Sequence, residues 1–260
     1  DARSDDPAYL EILIMAAVFA RARPQVARQS LRKLRSLRLE QENLEAYTEF
    51  ENLIAENKAG TLVGNHGYTV SSLADVDQTE VFRGVQSLVE ELGEMEYQLF
   101  ANSGTLLGLI REKSLISYDD DIDLFVFLKA SSHEGAAKEF VDLAHQLKQL
   151  GHKDALNRLG YGIIKLREVS GIVIDLFPSY MVGDFCYIYP YSFGDLRIGD
   201  IYPKRICETS GLPIPNNAEA VLQANYGDDW RTPVRLFEFP WVSQNEKFFE
   251  LRAGLKLREA

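Results

Sequence analysis

Asp119, Asp120, Asp121 and Asp123 put four carboxylates into five consecutive positions of a 260-residue chain. Like charges packed this closely are costly in a low-dielectric setting unless a cation compensates them. Asp121 and Asp123 open the apolar run to Leu128, whose composition predicts a central strand covered on both faces. On such a strand their side chains point the same way, roughly 6–7 Å apart, within reach of one bridging Mg2+ or Mn2+. Asp175 interrupts a second apolar run, Ile172 to Phe177, where an unpartnered carboxylate is expensive. If the two strands adjoin, Asp121, Asp123 and Asp175 form the metal-binding and catalytic trio of an in-line displacement at phosphorus. Asp119 and Asp120 then lie in the approach loop, where they orient water or substrate. The competing reading of the acidic run is a calcium-binding or simply solvated loop.

The turn Asn102-Ser103-Gly104-Thr105-Leu106-Leu107-Gly108 ends 13 residues before Asp121, with Gly104 itself 17 residues before it. Gly104 allows close backbone approach. The amides that begin the following helix, with the hydroxyls of Ser103 and Thr105, are expected to receive phosphate oxygens. Small-residue turns before helices are common, so this motif draws its weight from its position. Arg111, Lys165 and Arg167 are the cations expected near a leaving phosphate, and each is equally suited to a surface ion pair.

The elements that must position these groups follow from periodicity. Residues 7–58 read as helical, broken at Pro24 and stopped at Gly60. Residues 60–77, with Gly64, Gly67 and the pair Ser71-Ser72, read as a loop or small hairpin. A helix is predicted over 77–92 with Gly93 as its cap, then a strand over 97–101 and a helical turn over 106–110. Ser131 and Glu134 have capping-box spacing for a helix that ends at Gly151. Residues 161–167 and 172–177 read as adjoining strands around a turn at 169–171. Strand pieces are predicted at 185–189 and 195–202, a short helix over 218–226 between Asn217 and Gly227, and a terminal helix. The core is therefore mixed α and β, in three parts: a helical region over 1–75, a catalytic domain over 76–235 and a helical tail over 236–260. Tyr187, Tyr189, Tyr191 and Phe193 could stack a base or a sugar, although such aromatics more often fill a core.

Bulk properties narrow the partners. Net charge is −11, and no basic run is interleaved with aromatics, so nucleic acid is not an expected partner. Phosphate-bearing substrates would need a metal and a few placed cations. Cys186 and Cys207 cannot make a disulfide framework or a zinc set, and are expected as free buried thiols or, failing that, one bridge. No apolar window is long enough to span a bilayer. The nearest, Tyr9 to Ala20, is followed by Arg21, Arg23, Arg28, Arg32, Lys33, Arg35 and Arg38 with no acid before Glu40. That order fits either a helix docked on the domain or peripheral contact with an anionic membrane surface. A chain without an initial Met or recognisable signal peptide is expected to have a longer natural N-terminus. A cytoplasmic location is expected, with or without contact at the membrane.

Taken together, Gly104-Thr105-Leu106-Leu107-Gly108, Arg111, Ile116-Ser117-Tyr118, the Asp119–Asp123 run and Ile174-Asp175-Leu176-Phe177-Pro178 resemble the motifs of the LicD and fukutin family. The segment Tyr226-Gly227-Asp228-Asp229-Trp230-Arg231-Thr232-Pro233 resembles that family's C-terminal signature. Ser117 and Tyr118 stand where the family has Pro and Trp, outside the expected metal shell. The resemblance covers about residues 85–235 and leaves the first 75 unexplained. It implies an α+β fold: a nucleotidyltransferase-like mixed β-sheet flanked by helices, here with an extra N-terminal helical region. It also implies transfer of a phosphorylated alcohol (phosphocholine, ribitol phosphate or glycerol phosphate) from a CDP-linked alcohol donor to a glycan acceptor. Asp121, Asp123 and Asp175 would then bind the cation bridging the donor diphosphate. Asp119 or Asp120 would take the acceptor proton, because a metal-bound carboxylate is a poor base. Asp228 and Asp229 could serve the acceptor or merely cap a turn. Two alternatives remain: a nucleotidyltransferase that uses an NTP to modify a small molecule or sugar phosphate, and an inactive glycan-binding or scaffold protein.

Overall fold

A computed structural model describes residues 5–56, 62–64, 67–69, 73, 76–117, 119–233 and 239–259. Gly60, the Ser71-Ser72 pair and Tyr118 lie outside the described residues. The chain divides into two compact units, one within residues 1–75 and one spanning 76–233 and 239–260.

The smaller unit holds three helices, α1 (Pro7–Phe19), α2 (Pro24–Glu40) and α3 (Leu44–Glu56), and a two-stranded antiparallel ribbon, β1 (Leu62–Gly64) and β2 (Gly67–Thr69). Pro24 opens α2, where its missing amide hydrogen costs nothing. Arg21 and Arg23 take left-handed backbone conformations in the reversal before it. A second break, at residues 41–43, separates α2 from α3. It carries no proline or glycine, which is why periodicity alone ran through it. The chain turns instead through a left-handed Glu42 and the Asn43 amide, which donates to the Arg38 carbonyl. Leu10, Ile14, Val18, Leu31, Leu34, Phe50 and Ile54 are among the residues of this unit's core.

The larger unit is a mixed sheet between helices, the α+β architecture expected. Its described elements are α4 (Gln78–Glu94), β3 (Gln98–Ala101), α5 (Ser103–Arg111), β4 (Asp121–Phe127), α6 (His133–Gln149), β5 (Ile164–Val169), β6 (Ile172–Val182), β7 (Phe185–Ile188) and β8 (Ser192–Arg197). Then come α7 (Ile198–Ile201), the small pair β9 (Arg205–Ile206) and β10 (Pro213–Ile214), α8 (Ala218–Tyr226), α9 (Trp241–Lys247) and α10 (Phe249–Glu259). The main sheet runs β3-β4-β6-β7-β8, with β5 also on β6. The β4/β6 pair is parallel and the other pairs are antiparallel.

Several boundaries moved for identifiable reasons. Gly93 lies inside α4, which closes at Met95. Ser132 rather than Ser131 caps α6, its hydroxyl accepting from the Gly135 amide at 3.1 Å. The strand expected over 195–202 begins at Ser192 and gives way to α7, whose first turn is closed by the Asp200 carboxylate accepting from the Arg197 amide. Asn217 and Gly227 bound α8 as expected. The terminal segment forms two helices, and α10 packs on α6, with Gly254 against Ala137, so it is built into the larger unit.

Candidate active site and metal centre

The acidic residues occupy one face of the sheet because of alternation and register. Ile122, Leu124 and Val126 of β4 are buried, while Asp121 and Asp123 between them stay half-buried. In the parallel pairing Asp123 stands opposite Asp175, and residues opposite one another project to the same face. In the antiparallel pairing of β5 with β6, Lys165 stands opposite Asp175 in turn. Asn102, whose amide donates to the Asp123 carbonyl at 3.0 Å, completes a row Asn102, Asp123, Asp175, Lys165 across four strands' width. β4 is thus covered on both faces only beyond Asp123. Its first residues form the floor of a polar recess.

Within that recess the converging oxygens are those of Asp119, Asp120 and Asp121, which lie within 4.8 Å of one another and could hold a divalent cation. This set differs from the expected trio of Asp121, Asp123 and Asp175, and Asp121 is common to both. The reason is local. Asp175, only 8 % exposed, is engaged through Oδ1 by Lys165 Nζ at 2.8 Å. The Asp123 carboxylate is met by the Gly104 amide. Burial pushes the Asp123 carboxyl well above the ordinary range, and repulsion from Asp121, Asp119 and Asp175 adds to it. Burial likewise raises Asp119, reinforced by Asp121 and Asp120. Oxygen donors that repel one another until protonated or neutralised are the chemistry of a hard-cation site, and Mg2+ and Mn2+ fit it.

The glycine turn also bears on Asp123. Ser103 and Thr105 are buried, and Thr105 Oγ1 accepts from the Asp123 amide at 2.9 Å. The start of α5 therefore grips Asp123 through the Thr105 hydroxyl. A side chain on Gly104 would collide with the Asp119 carboxylate, so glycine here keeps the cluster closed up. Ser103 holds a left-handed conformation, φ 44°, a strained geometry at the point where α5 meets the site. Gly108 lies away from the carboxylates. A Cβ there would meet the Ser114 carbonyl at 2.5 Å, so it permits close packing of α5 on the following loop.

The expected cations separate. Lys165 joins the acidic row. Arg111 sits close enough to the Tyr226 hydroxyl to act on it, donates to the Trp230 carbonyl at 3.3 Å and pairs with Glu112 at 2.7 Å. Arg167 is not brought to the site. It lies within the register shift in β5 and pairs with Glu91 of α4 at 3.2 Å. Asp228 accepts from Gln223, and the Asp229 carbonyl accepts from the Thr232 amide, so neither joins the cluster.

Of the four aromatics considered earlier, only Tyr191 turns toward the acidic face. Tyr187, Tyr189 and Phe193 pack on Phe248 of α10. Tyr191 meets Phe177, Tyr226 and Phe239. Burial holds the hydroxyls of Tyr191 and Tyr226 well above their ordinary range. Tyr226 adds to the effect on Tyr191, and Asp123 adds to both. Sequence reasoning passed over Tyr226 as a site residue, as it did Asn225, whose Nδ2 donates to Asn102 Oδ1 at 3.4 Å. The position of Tyr226 at the head of the Tyr-Gly signature was the available signal; Asn225 precedes that signature. Cys186 and Cys207 are free and buried.

Residues 96–196, which contain the acidic row, match the LicD/FKTN/FKRP nucleotidyltransferase domain. An uncharacterized protein of Rickettsia typhi is 28 % identical to this chain over an alignment covering 42 % of this chain and 38 % of that one. The acidic row lies inside the matched nucleotidyltransferase domain. The segment 96–196 is thus similar to the LicD/FKTN/FKRP nucleotidyltransferase domain.

Proposed function

We propose that the protein transfers a phosphorylated alcohol from a CDP-activated donor to a cell-surface or capsular glycan in a reaction that depends on Mg2+ or Mn2+. The observation that carries this reading is the gathering of Asp119, Asp120 and Asp121 at the start of the strand whose Asp123 is in register with Asp175. Asp121, with Asp119 or Asp123 beside it, would hold the cation. Held there, it would supply the positive charge that a donor diphosphate needs. Asp175, fixed by Lys165, keeps the neighbouring negative potential in place. Asp119 or Asp120, whichever is left unligated, would accept the proton of the attacking hydroxyl. Tyr226 and Arg111 would donate hydrogen bonds to a phosphoryl oxygen.

A test mixes the protein with radiolabelled CDP-choline, CDP-ribitol or CDP-glycerol, a glycan acceptor and Mn2+. Label in the glycan with matching release of CMP is the expected outcome. Pyrophosphate released from an NTP, without CMP from any CDP-alcohol, would transfer the assignment to the second reading, a nucleotidyltransferase acting on a small molecule or sugar phosphate. The description of the matching domain favours keeping that reading in the test. Glycan binding without turnover at any divalent ion would mark an inactive binding protein.

A further inference from the structure

α1 is apolar around its whole circumference, which is the pattern of a helix covered on every side. Its one charged residue, Glu11, pairs with Arg38 of α2 at 2.8 Å. Leu10, Ile14, Ala17 and Val18 fill the core of the smaller unit. Tyr9, Ile12, Met15 and Phe19 line the opposite side and are exposed, Ile12 by 68 % and Phe19 by 55 %. They recur at helical spacing over about 15 Å of axis, and aromatic rings stand at both ends of the stripe. Beyond Phe19 the chain reverses through Arg21 and Arg23, both exposed and both in left-handed backbone conformations. No carboxylate among the described residues pairs with either, whereas Lys33 and Arg38 of the same basic stretch are taken by Asp5 and Glu11.

We propose that this face of α1, with Arg21 and Arg23, docks on the surface of an anionic lipid bilayer, the helix lying in the interface with its stripe among the acyl chains. An apolar strip that ends in paired cations matches the two layers of such a surface, hydrocarbon and phosphate. The stripe exposes about 400 Å² of apolar surface, so two copies facing each other through it would bury about 800 Å² in all, below the 1,200–2,000 Å² of stable protein interfaces. No helix among the described residues is long and apolar enough to cross a membrane, so the contact is peripheral.

The test is sedimentation of the full chain with vesicles of phosphatidylcholine alone or with one-third phosphatidylglycerol. Binding is expected to the anionic vesicles only, and to weaken with salt. The double variant Ile12→Asp/Phe19→Asp is expected to lose at least tenfold in affinity, and Arg21→Glu/Arg23→Glu severalfold together with the salt dependence. All four side chains are exposed, and unchanged circular dichroism would verify that the fold persists. Wild-type protein that stays in the supernatant with both vesicles overturns the proposal, as does equal binding by either variant. A solution dimer that Ile12→Asp/Phe19→Asp dissociates would overturn it too, by giving the stripe to a second copy.

Discussion

Lys165 Nζ lies 2.8 Å from Asp175 Oδ1, and on its other side Asp175 stands in register with Asp123. A single ammonium thus closes a row that otherwise gathers carboxylates. Lys165→Met should leave Asp175 buried beside Asp123 without its counter-charge. We expect a loss of about 1–3 kcal/mol, less than for a fully buried pair because the lysine is partly solvated. Urea unfolding without metal measures it, and saturating Mn2+ should recover part of the loss. An unchanged midpoint would mean that Asp175 finds compensation elsewhere.

Asp121 is one of the three converging carboxylates and repels both Asp119 and Asp123. Asp121→Asn should lower turnover by at least a hundredfold, about 3 kcal/mol in barrier, while metal-free thermal stability stays equal or rises. A parallel loss of stability and activity would point to a folding role instead.

Asp119 and Asp123 are held above the carboxylate range in the metal-free fold, so the folded chain binds protons more tightly than the unfolded one. The sign follows directly: their contribution favours folding below the unfolded pKa of about 4 and is lost as pH rises through the raised folded values. In thermal melts with EDTA, this part of stability should fall with rising pH. Added Mg2+ or Mn2+ should oppose the fall and bind more tightly as pH rises, because it competes with those protons. Identical melting profiles with and without the ion across that range would rule out coupling between the cluster and a cation.

The architecture was largely legible because it rests on period and punctuation. Alternation in Asp121-Ile122-Asp123 gave the exposed face, and the apolar run around Asp175 gave β6. What alternation could not supply was competition among partners. Nothing in the sequence says that Lys165 rather than a metal meets Asp175 Oδ1, since that pairing is set by the register of β5 on β6. The turn at Gly104 was read as a phosphate cradle because its residue types suit one. Only the packing of α5 on β4 turns its amide and the Thr105 hydroxyl toward Asp123. Arg167 was lost to a bulge, a one-residue event that sequence periodicity does not register.

Gly104 and Thr105 offer a test of that gripping role. Gly104→Ala would drive a methyl group into the Asp119 carboxylate, so ion affinity and turnover should fall at least tenfold with a stability cost of about 1–3 kcal/mol. Thr105→Val leaves the Asp123 amide without its acceptor and should cost about 1–3 kcal/mol in chemical unfolding. Gly108→Ala, against the Ser114 carbonyl, should lower stability similarly but leave ion affinity unchanged. If Gly104→Ala bound Mn2+ like the parent, the steric reading of this turn would be wrong.

The acidic recess is the feature on which the functional reading stands, and Mn2+ titration of the intact chain followed by electron paramagnetic resonance tests it most directly. Wild-type protein should remove free Mn2+ from solution at a defined stoichiometry, and Asp121→Asn should weaken that binding at least tenfold while leaving circular dichroism unchanged. Wild-type protein that binds no Mn2+, or an Asp121→Asn variant that binds it equally well, would contradict a metal-dependent transfer site at this position.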